Sequence, residues 1–578
     1  MYYLFRIFRL LLLLFSFYGM VQFLKERKVK SEFLLPIIFS AIGVLMFFAG
    51  ILNVLVISAY SIFFIGVFLA VKSLITKSPI KSLITCGTVT MAITLIFLFV
   101  FTYGNKFTHY DNFSHWGIVL KQIILTDSFP NFDDVNIMFQ SYPTGSAGLI
   151  YYFTKITGIR SEWFCIFTQQ IITVSMLCSV FVFFDSRKKI NYVLGFPLVL
   201  LILFVNAEYS ITHDLLVDTL LPLIAVAAIS ICIYYREDIK SCTLYVLPII
   251  CFLMAVKNSG ILFVMLIIAY YIYRYAKLYG IKRIFQKNEL MFLISPFITL
   301  LLWNRHTKYV FEQGLTAKHS LSAEYYNEVL GNKTPEIISR ISKTFLDRVI
   351  NYENTFWLVV LVLLICFVLF KFLKIKSAVV SETILISVIF YVCWQLGTYS
   401  MYLLSMPNEE ALNLDGYYRY HQTALIFICG LMLIVLAKVQ ATIPSVTKYK
   451  KVILTSFCFL VGISFAMILR TDITLLNGSV YNSNERNSID EIVETYGLDT
   501  TGNTDYFVIW DGSGYHHFMT KYVLYPKNLY NCDIQNFEKD KEMIGNYDYL
   551  IVVTSNETVD EFLVRNYGNS NLKAYRIM

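Results

Sequence analysis

Long apolar runs separated by short polar connections fill residues 1–474. A transmembrane helix needs about 20 mostly apolar residues, and on this criterion the chain contains about 14 transmembrane helices. After residue 474 the pattern changes to short β-rich runs and stretches of helical spacing. The pattern predicts an all-α polytopic membrane protein with a small C-terminal α/β domain. The predicted spans are 3–24, 32–50, 53–71, 83–102, 163–184, 191–207, 215–235, 242–256, 260–276, 289–303, 356–373, 382–403, 421–440 and 451–469.

The predicted domain boundary lies at residue 474. Residues 1–474 form the predicted transmembrane domain, in which two connections, 103–162 and 304–355, are long and polar. Residues 475–578 form the predicted α/β domain, with strands at 505–510 and 547–553 and helices at 489–496 and 558–567. The segment DGSG at 511–514 lacks the spacing of a glycine-rich phosphate loop, so the sequence does not indicate nucleotide binding.

The distribution of Lys and Arg predicts the orientation, because short cytoplasmic connections collect these residues. One set of alternate connections is basic, namely 25–30, 77–81, 187–189, 236–240, 277–287, 371–376 and 448–451. The other set contains the long connections 103–162, 206–214, 304–355 and 405–420, together with the C-terminal domain. The second set is therefore predicted to be extracytoplasmic. The N-terminus is then outside as well, although Arg6 and Arg9 argue against that detail.

Composition excludes a soluble globular enzyme. Of the 578 residues, 57% are hydrophobic and 15% are charged, against about 25% charged residues in ordinary soluble domains. The net charge of +8 combines −7 from residues 475–578 (8 basic, 15 acidic) with +15 from residues 1–474 (40 basic, 25 acidic). The basic excess thus marks the cytoplasmic side and indicates no nucleic-acid partner. The 11 cysteines form no CxxC pair, so no thiol-bound metal site is indicated.

The first long connection carries the most informative polar residues. Residues 109–116 read HYDNFSHW, and a helix that starts near Asn112 places Asp111 at its N-cap and His115 four residues further on. A carboxylate next to an imidazole at the membrane surface can act as a general base toward a hydroxyl. The alternative is a capping Asp within a belt of interfacial aromatic residues.

Cations near the apolar spans are candidate phosphate ligands. Lys257 lies between two apolar runs, and Arg419 precedes a late span. A charged residue at membrane depth is usually functional, and Arg binds phosphate through two parallel hydrogen bonds. Arg340, in the third long connection, is a further candidate. The alternatives are a snorkelling Lys257, an Arg419 that binds lipid headgroups, and a solvated helix face for Arg340.

Three short motifs carry a family resemblance. Residues 110–116 (YDNFSHW) resemble the acidic first outer loop of the GT-C class of membrane glycosyltransferases, and residues 141–145 (SYPTG) resemble a Tyr/Pro segment of the same loop. Residues 415–421 (DGYYRYH) are similar to the aromatic-Arg segment that these enzymes place near the donor phosphate. In that class the catalytic loop usually follows the first span, whereas here it follows about the fourth.

The resemblance implies a GT-C-like fold and transfer of a sugar from a polyprenyl-phosphate donor to an acceptor hydroxyl on the outer face. Asp111 is then the general base of an inverting displacement, and His115 orients it or binds the acceptor. Asp214 corresponds to a second acidic residue of the class, and it is counted with Asp111 and His115 as a catalytic candidate that binds the acceptor or a metal ion. Tyr142 and His213 are expected to contact the acceptor, and Lys257, Arg419 and Arg340 the donor phosphate.

The expected partners are a polyprenyl-phosphate-linked sugar, an envelope glycan or teichoic acid-like acceptor, and membrane lipids, with no nucleic acid. No cofactor is predicted, because the acidic residues do not have metal-ligand spacing. A divalent cation remains an alternative. Asp218, inside an apolar stretch, is expected to be paired or functional. The alternatives are an O-antigen polymerase or ligase, a lipid-linked glycan flippase or transporter, and a non-catalytic scaffold. A transporter should show paired inverted halves, which the sequence does not.

Overall fold

A computed structural model describes residues 2–76, 83–131, 137, 140–204, 211–311, 323–351, 377–442 and 484–577. Helices dominate these segments, and among the described residues strands occur only in the C-terminal domain. The helices of the described transmembrane part are α1 Tyr2–Glu26, α2 Ser31–Ile51, α3 Leu55–Ile75, α4 Cys86–Thr102, α5 Gly117–Thr126, α6 Gly145–Thr157, α7 Glu162–Cys178, α8 Lys189–Leu203, α9 Leu220–Tyr234, α10 Ile239–Val256, α11 Gly260–Tyr279, α12 Lys287–Phe311, α13 Ala323–Gly331, α14 Pro335–Asn351, α15 Ala378–Leu404, α16 Asn408–Asn413 and α17 Tyr417–Thr442.

The described residues contain 8 helices that are long and apolar enough to cross a membrane, which makes the chain a multi-pass membrane protein. These spans are Leu4–Glu26, Ser31–Ile51, Leu55–Ile75, Glu162–Phe183, Ile239–Val256, Gly260–Tyr279, Ala378–Leu404 and Tyr417–Lys438. Helices α4, α8 and α9 are apolar but shorter. The predicted spans 356–373 and 451–469 lie outside the described residues, so the total of about 14 stays a prediction.

Small residues let the first spans pack closely. A Cβ atom on Gly19 of α1 would lie 2.1 Å from the carbonyl oxygen of Gly66 on α3. The Ser16 hydroxyl donates to the carbonyl of Phe63 across the same contact, at 2.9 Å. In a membrane the hydrophobic effect does not drive helices together, because lipid tails are as apolar as the side chains. Helices associate instead through close packing of small residues and through interhelical hydrogen bonds.

Three helix ends that the alternation of connections predicts to lie on the same side of the membrane meet in the structure. Arg236 follows α9, Arg274 lies near the end of α11, and Glu382 lies near the start of α15. The Glu382 carboxylate binds Arg236 at 3.2 Å and Arg274 at 3.4 Å. The end of α9, the end of α11 and the start of α15 therefore lie at one end of the bundle.

Arg9 has a structural role at the opposite end of the bundle. Its guanidinium donates to the backbone carbonyls of Lys155 and Ile156, each at 2.6 Å, at the C-terminus of α6. Basic side chains stabilise helix C-termini because the last carbonyls have no partner within the helix. The start of α1 consequently lies on the same side as the connection 103–162. The bonds to α6 explain why a basic residue, Arg9, occurs at an end of the bundle that is predicted to be extracytoplasmic.

The C-terminal domain is a small α/β unit. Its elements are α18 Asn484–Tyr496, β1 Tyr506–Trp510, α19 Gly514–Leu524, β2 Leu529–Asp533, α20 Phe537–Asp540, β3 Tyr549–Val552, α21 Glu557–Tyr567 and β4 Ala574–Arg576. The four strands form one sheet in the order β2-β1-β3-β4. β1 pairs in parallel with β2 and β3, and β3 pairs antiparallel with β4. β1 and β3 lie within the predicted strands, whereas β2 and the three-residue β4 were not predicted. The predicted boundary at 474 lies outside the described residues.

Candidate functional site

Asp111 and Arg419 form an ion pair although 308 positions separate them in the chain. A helical turn begins near Asn112, as predicted, and it is a π-turn that spans Asn112–Trp116. The Asp111 carboxylate makes no capping hydrogen bond to this turn. Instead one of its oxygens, Oδ2, contacts Nη1 of Arg419 on the first turn of α17. The carboxylate is thus directed into the protein, toward a cation.

Asp218 joins the same cluster from another segment. Its Oδ1 accepts a hydrogen bond from Lys257 Nζ at 3.1 Å, and its Oδ2 lies 3.7 Å from Nε of Arg419. The cluster is therefore an alternating row of four charges, Asp111, Arg419, Asp218 and Lys257, from four separate segments. Asp218 is thus held between two cationic side chains.

The break between α10 and α11 positions Lys257. The backbone of Lys257 is extended, with φ −158° and ψ 145°, so the helix stops one residue before it. Asn258 follows, and its amide donates to the carbonyl of Ser141 at 3.3 Å. Trp303 of α12 donates to the same carbonyl at 2.9 Å. These two bonds fix the turn that carries Tyr142 next to the charged cluster.

A buried non-helical segment, 211–219, carries Asp214 and Asp218. Backbone groups inside a membrane protein must find partners within the protein. Side-chain amides of four residues supply them here. The bonds are Gln170 Nε2 to Ile211 O at 3.0 Å, Asn105 Nδ2 to Thr212 O at 2.9 Å, Leu215 N to Asn112 Oδ1 at 3.0 Å, and Gln169 Nε2 to Leu216 O at 3.1 Å.

Asp214 has a different electrostatic state from Asp218. Burial raises the pKa of Asp214 to about 8, while the bond that its Oδ1 accepts from the backbone N–H of Leu216, at 2.9 Å, opposes the shift. The two carboxyl groups line one small cavity together with Gln169. At neutral pH Asp214 is mostly protonated, so it is able to donate a hydrogen bond.

Neutral polar rings surround Asp111. His115 is buried beside Tyr142, with ring centroids 5.2 Å apart, and burial lowers the pKa of His115 to about 3. Burial also raises the pKa of Tyr142 and lowers that of His109. Nδ1 of His109 accepts from the backbone N–H of Asp111 at 3.1 Å. These rings can exchange hydrogen bonds with a ligand while carrying no charge.

The predicted site residues divide into two groups. Asp111, Lys257 and Arg419 meet in the charged row, and His115, Tyr142 and Asp214 lie around it. His213 is buried next to Asp214 in the chain. Arg340 is exposed on α14, outside the cluster.

Three residues near the row were missed by the sequence analysis. They are His109, Asn258 and Tyr420. The ring centroid of Tyr420 lies 5.9 Å from Nζ of Lys257. The signal for each was its position within two residues of a charged candidate in the chain.

The C-terminal domain packs against the connection that carries Asp111. Arg486 of α18 binds Glu162 at 2.8 Å and Asp490 at 3.1 Å, and Lys106 binds Asp490 at 2.6 Å. Lys121 donates to the last carbonyls of α19, on Tyr522 and Val523, at 2.8 and 2.9 Å. Charged groups from both domains are thus paired across the contact.

Aromatic rings continue this contact to the π-turn. Phe113, two residues after Asp111, lies between Tyr515 and Tyr522 of α19, with centroid distances of 5.8 and 5.5 Å. The Tyr515 hydroxyl donates to the carbonyl of Thr108 at 2.9 Å. The C-terminal domain and the connection 103–162 therefore lie on one side of the bundle, and the domain directly contacts the turn that holds the candidate base.

Neither a metal site nor a family relationship helps to assign a function to this cluster. Within the described part of the chain, no group of three or more His, Cys, Asp and Glu side chains is arranged to hold a metal ion. Asp111 and Asp218 each already contact a cationic side chain. A comparison with protein-family models finds no match, and no curated protein is significantly similar.

Proposed function

We propose that the chain is a membrane glycosyltransferase that uses a polyprenyl-phosphate sugar to modify an envelope glycan or a teichoic acid-like polymer. The observation that carries this proposal is the row of Asp111, Arg419, Asp218 and Lys257. Buried charges in membrane proteins are rare and usually functional. A partly exposed carboxylate and two cations in one row offer what sugar transfer from a phosphate carrier requires, namely a base and a site for the leaving phosphate.

In the proposed reaction Asp111 accepts the proton of the acceptor hydroxyl. The oxygen attacks the anomeric carbon from the face opposite the phosphate, so the configuration inverts. The carbon–oxygen bond to the phosphate breaks, and polyprenyl phosphate leaves with an additional negative charge. Arg419 and Lys257 bind its oxygens, which lowers the energy of the transition state as that charge develops.

The neutral groups suit the acceptor. Protonated Asp214 can donate to a sugar oxygen, and so can the phenol of Tyr142. His115 has one ring nitrogen that donates and one that accepts, because its low pKa keeps it neutral. Asp214 is therefore assigned to acceptor binding rather than to the base role.

The proposed location is a bacterial cytoplasmic membrane with the site on the extracytoplasmic side. The site, the start of α1 and the C-terminal domain share one end of the bundle. The basic connections around Arg236 and Arg274 mark the other end, which the positive-inside rule assigns to the cytoplasm.

A transfer assay tests the proposal. The purified full-length protein in vesicles is offered a panel of polyprenyl-phosphate sugars and envelope acceptors, and wild type is compared with Asp111→Asn. Asp127→Asn is the matched control, because Asp127 lies in the same connection but pairs with Lys155 at 2.6 Å. Wild type and Asp127→Asn should transfer the sugar and Asp111→Asn should not. Equal transfer by all three proteins contradicts the base assignment.

Donor choice separates the alternatives. Transfer from diphosphate-linked oligosaccharides alone would favour a polymerase or ligase. An absence of transfer from every donor would favour a flippase or transporter.

A further inference from the structure

Arg419 has two carboxylate partners that are held differently. The side chain of Asp218 is 7% exposed and also binds Lys257, whereas the side chain of Asp111 is 22% exposed and lies at the end of the row. Asp218 therefore anchors both cations from inside. Asp111 is the carboxylate that a ligand arriving from the accessible side meets first.

Charge balance restricts how a phosphate can enter. The two carboxylates and the two cations cancel, so an entering phosphate places a third anion next to Arg419 and Lys257. A guanidinium has five N–H groups in a planar fork and binds one anion along each edge. The Nε of Arg419 lies 3.7 Å from Oδ2 of Asp218, while Nη1 contacts Asp111. A phosphate that binds Nη1 must therefore compete with Asp111.

We infer that the contact between Asp111 and Arg419 is a closed resting state that phosphate binding opens. The phosphate takes Nη1 of Arg419, and Asp111 is released as a carboxylate without a cation. Arg419 stays attached to Asp218 throughout. Asp218 is thus a positioning residue that keeps Arg419 in place while its outer partner changes.

The exchange deepens the proposed function and rests on it for its catalytic meaning. While Nη1 of Arg419 contacts Oδ2 of Asp111, that oxygen is not available to accept the proton of an acceptor hydroxyl, and the phosphate makes it available by taking Nη1. The acceptor hydroxyl would then lose its proton efficiently only when the donor is bound. Coupling of this kind keeps the base inactive in the absence of donor.

A binding measurement tests the exchange without using catalysis. The full-length protein in nanodiscs of uncharged phosphatidylcholine is titrated with farnesyl monophosphate by calorimetry. Asp111→Asn should bind the probe about fivefold more tightly than wild type, since the probe no longer displaces a partly exposed ion pair. Asp127→Asn, the control with an unrelated ion pair, should bind like wild type. Unchanged or weaker binding by Asp111→Asn overturns the inference.

A double-mutant cycle separates exchange from simple repulsion. In an Arg419→Gln background the contact that is exchanged no longer exists, so Asp111→Asn should give no further gain in affinity. A gain that persists in this background would show repulsion by Asp111 and would overturn the exchange.

The same measurement separates the two proposals. Tighter binding by Asp111→Asn together with no transfer from any donor would refute the proposed function and leave the exchange standing. If neither wild type nor Asp111→Asn binds the probe, the phosphate site and the exchange are both wrong.

Discussion

Replacing Arg486 by Met should weaken the attachment of the C-terminal domain to the connection 103–162. Arg486 is 5% exposed and bridges Glu162 and Asp490. Its guanidinium also lies 5.9 Å from the ring centroid of Phe113, within the π-turn next to Asp111. Met has a similar length and no charge, so the substitution removes the pairing with little change in volume.

The size of the effect follows from the partners that remain. Removing one partner of a buried ion pair costs about 3–5 kcal/mol, because the other charge is left uncompensated. Asp490 keeps Lys106 at 2.6 Å, and Glu162 keeps the hydroxyl of Tyr522 at 3.1 Å. These remaining contacts place the expected loss near the lower limit, at about 3 kcal/mol.

Hydrogen exchange measures this loss locally. A loss of about 3 kcal/mol raises the population of the detached state by about 100-fold, and the amides of α19 and of the π-turn should exchange faster by that factor. Arg565→Met is the matched control, because Arg565 is an exposed arginine of the same domain. An acceleration below about fivefold, or one equal to the control, would refute the idea that Arg486 holds the domain on the connection.

Three further predictions concern individual side chains. Asp214 has a folded-state pKa of about 8, above its ordinary value of about 4. Between these two values the folded state binds one proton more than the unfolded state, so the stability of the wild-type protein falls as pH rises from about 4 to 8. The melting temperature of Asp214→Asn minus that of wild type should therefore increase across this window and stay constant above it, and a difference that does not depend on pH would contradict the assignment. Asp218→Asn should destabilise the protein by about 3–5 kcal/mol in denaturant unfolding, and adding Lys257→Gln should restore part of the loss; two additive losses would mean that the pair is not coupled. Arg340→Ala should keep wild-type transfer, since Arg340 is exposed and outside the cluster; a loss of more than tenfold would return it to the donor site.

The sequence singled out Asp111, Lys257, Arg419 and Asp218 for a physical reason. Charge is scarce in the apolar part of the chain, so each charged residue near a span is conspicuous. Their pairing was not predictable, because Asp111 and Arg419 are 308 positions apart and no local pattern encodes a contact between distant segments. Arg340 shows the converse, since an amphipathic helix with an exposed basic face looks the same from sequence as a helix that lines a site.

The contact between the C-terminal domain and the connection 103–162 also could not be predicted from the sequence. Lys106, Glu162 and Arg486 resemble ordinary surface charges in the sequence, and the ion pairs Lys106–Asp490 and Glu162–Arg486 form only where the two domains meet. The strand β2 escaped prediction because polar residues alternate weakly along LYNCD, where one of five positions is fully buried. The strand β1 was readily predicted because all five of its residues are buried and apolar or aromatic.

Sugar transfer by purified protein with Asp111 intact and with Asp111→Asn tests the central claim most directly. General-base catalysis contributes about 10²- to 10⁴-fold to a rate, so the variant should lose at least about 100-fold in kcat at saturating donor while Asp127→Asn keeps the wild-type rate. A variant that transfers sugar within about threefold of wild type would contradict the account, because Asp111 would then be a structural partner of Arg419 and not the base.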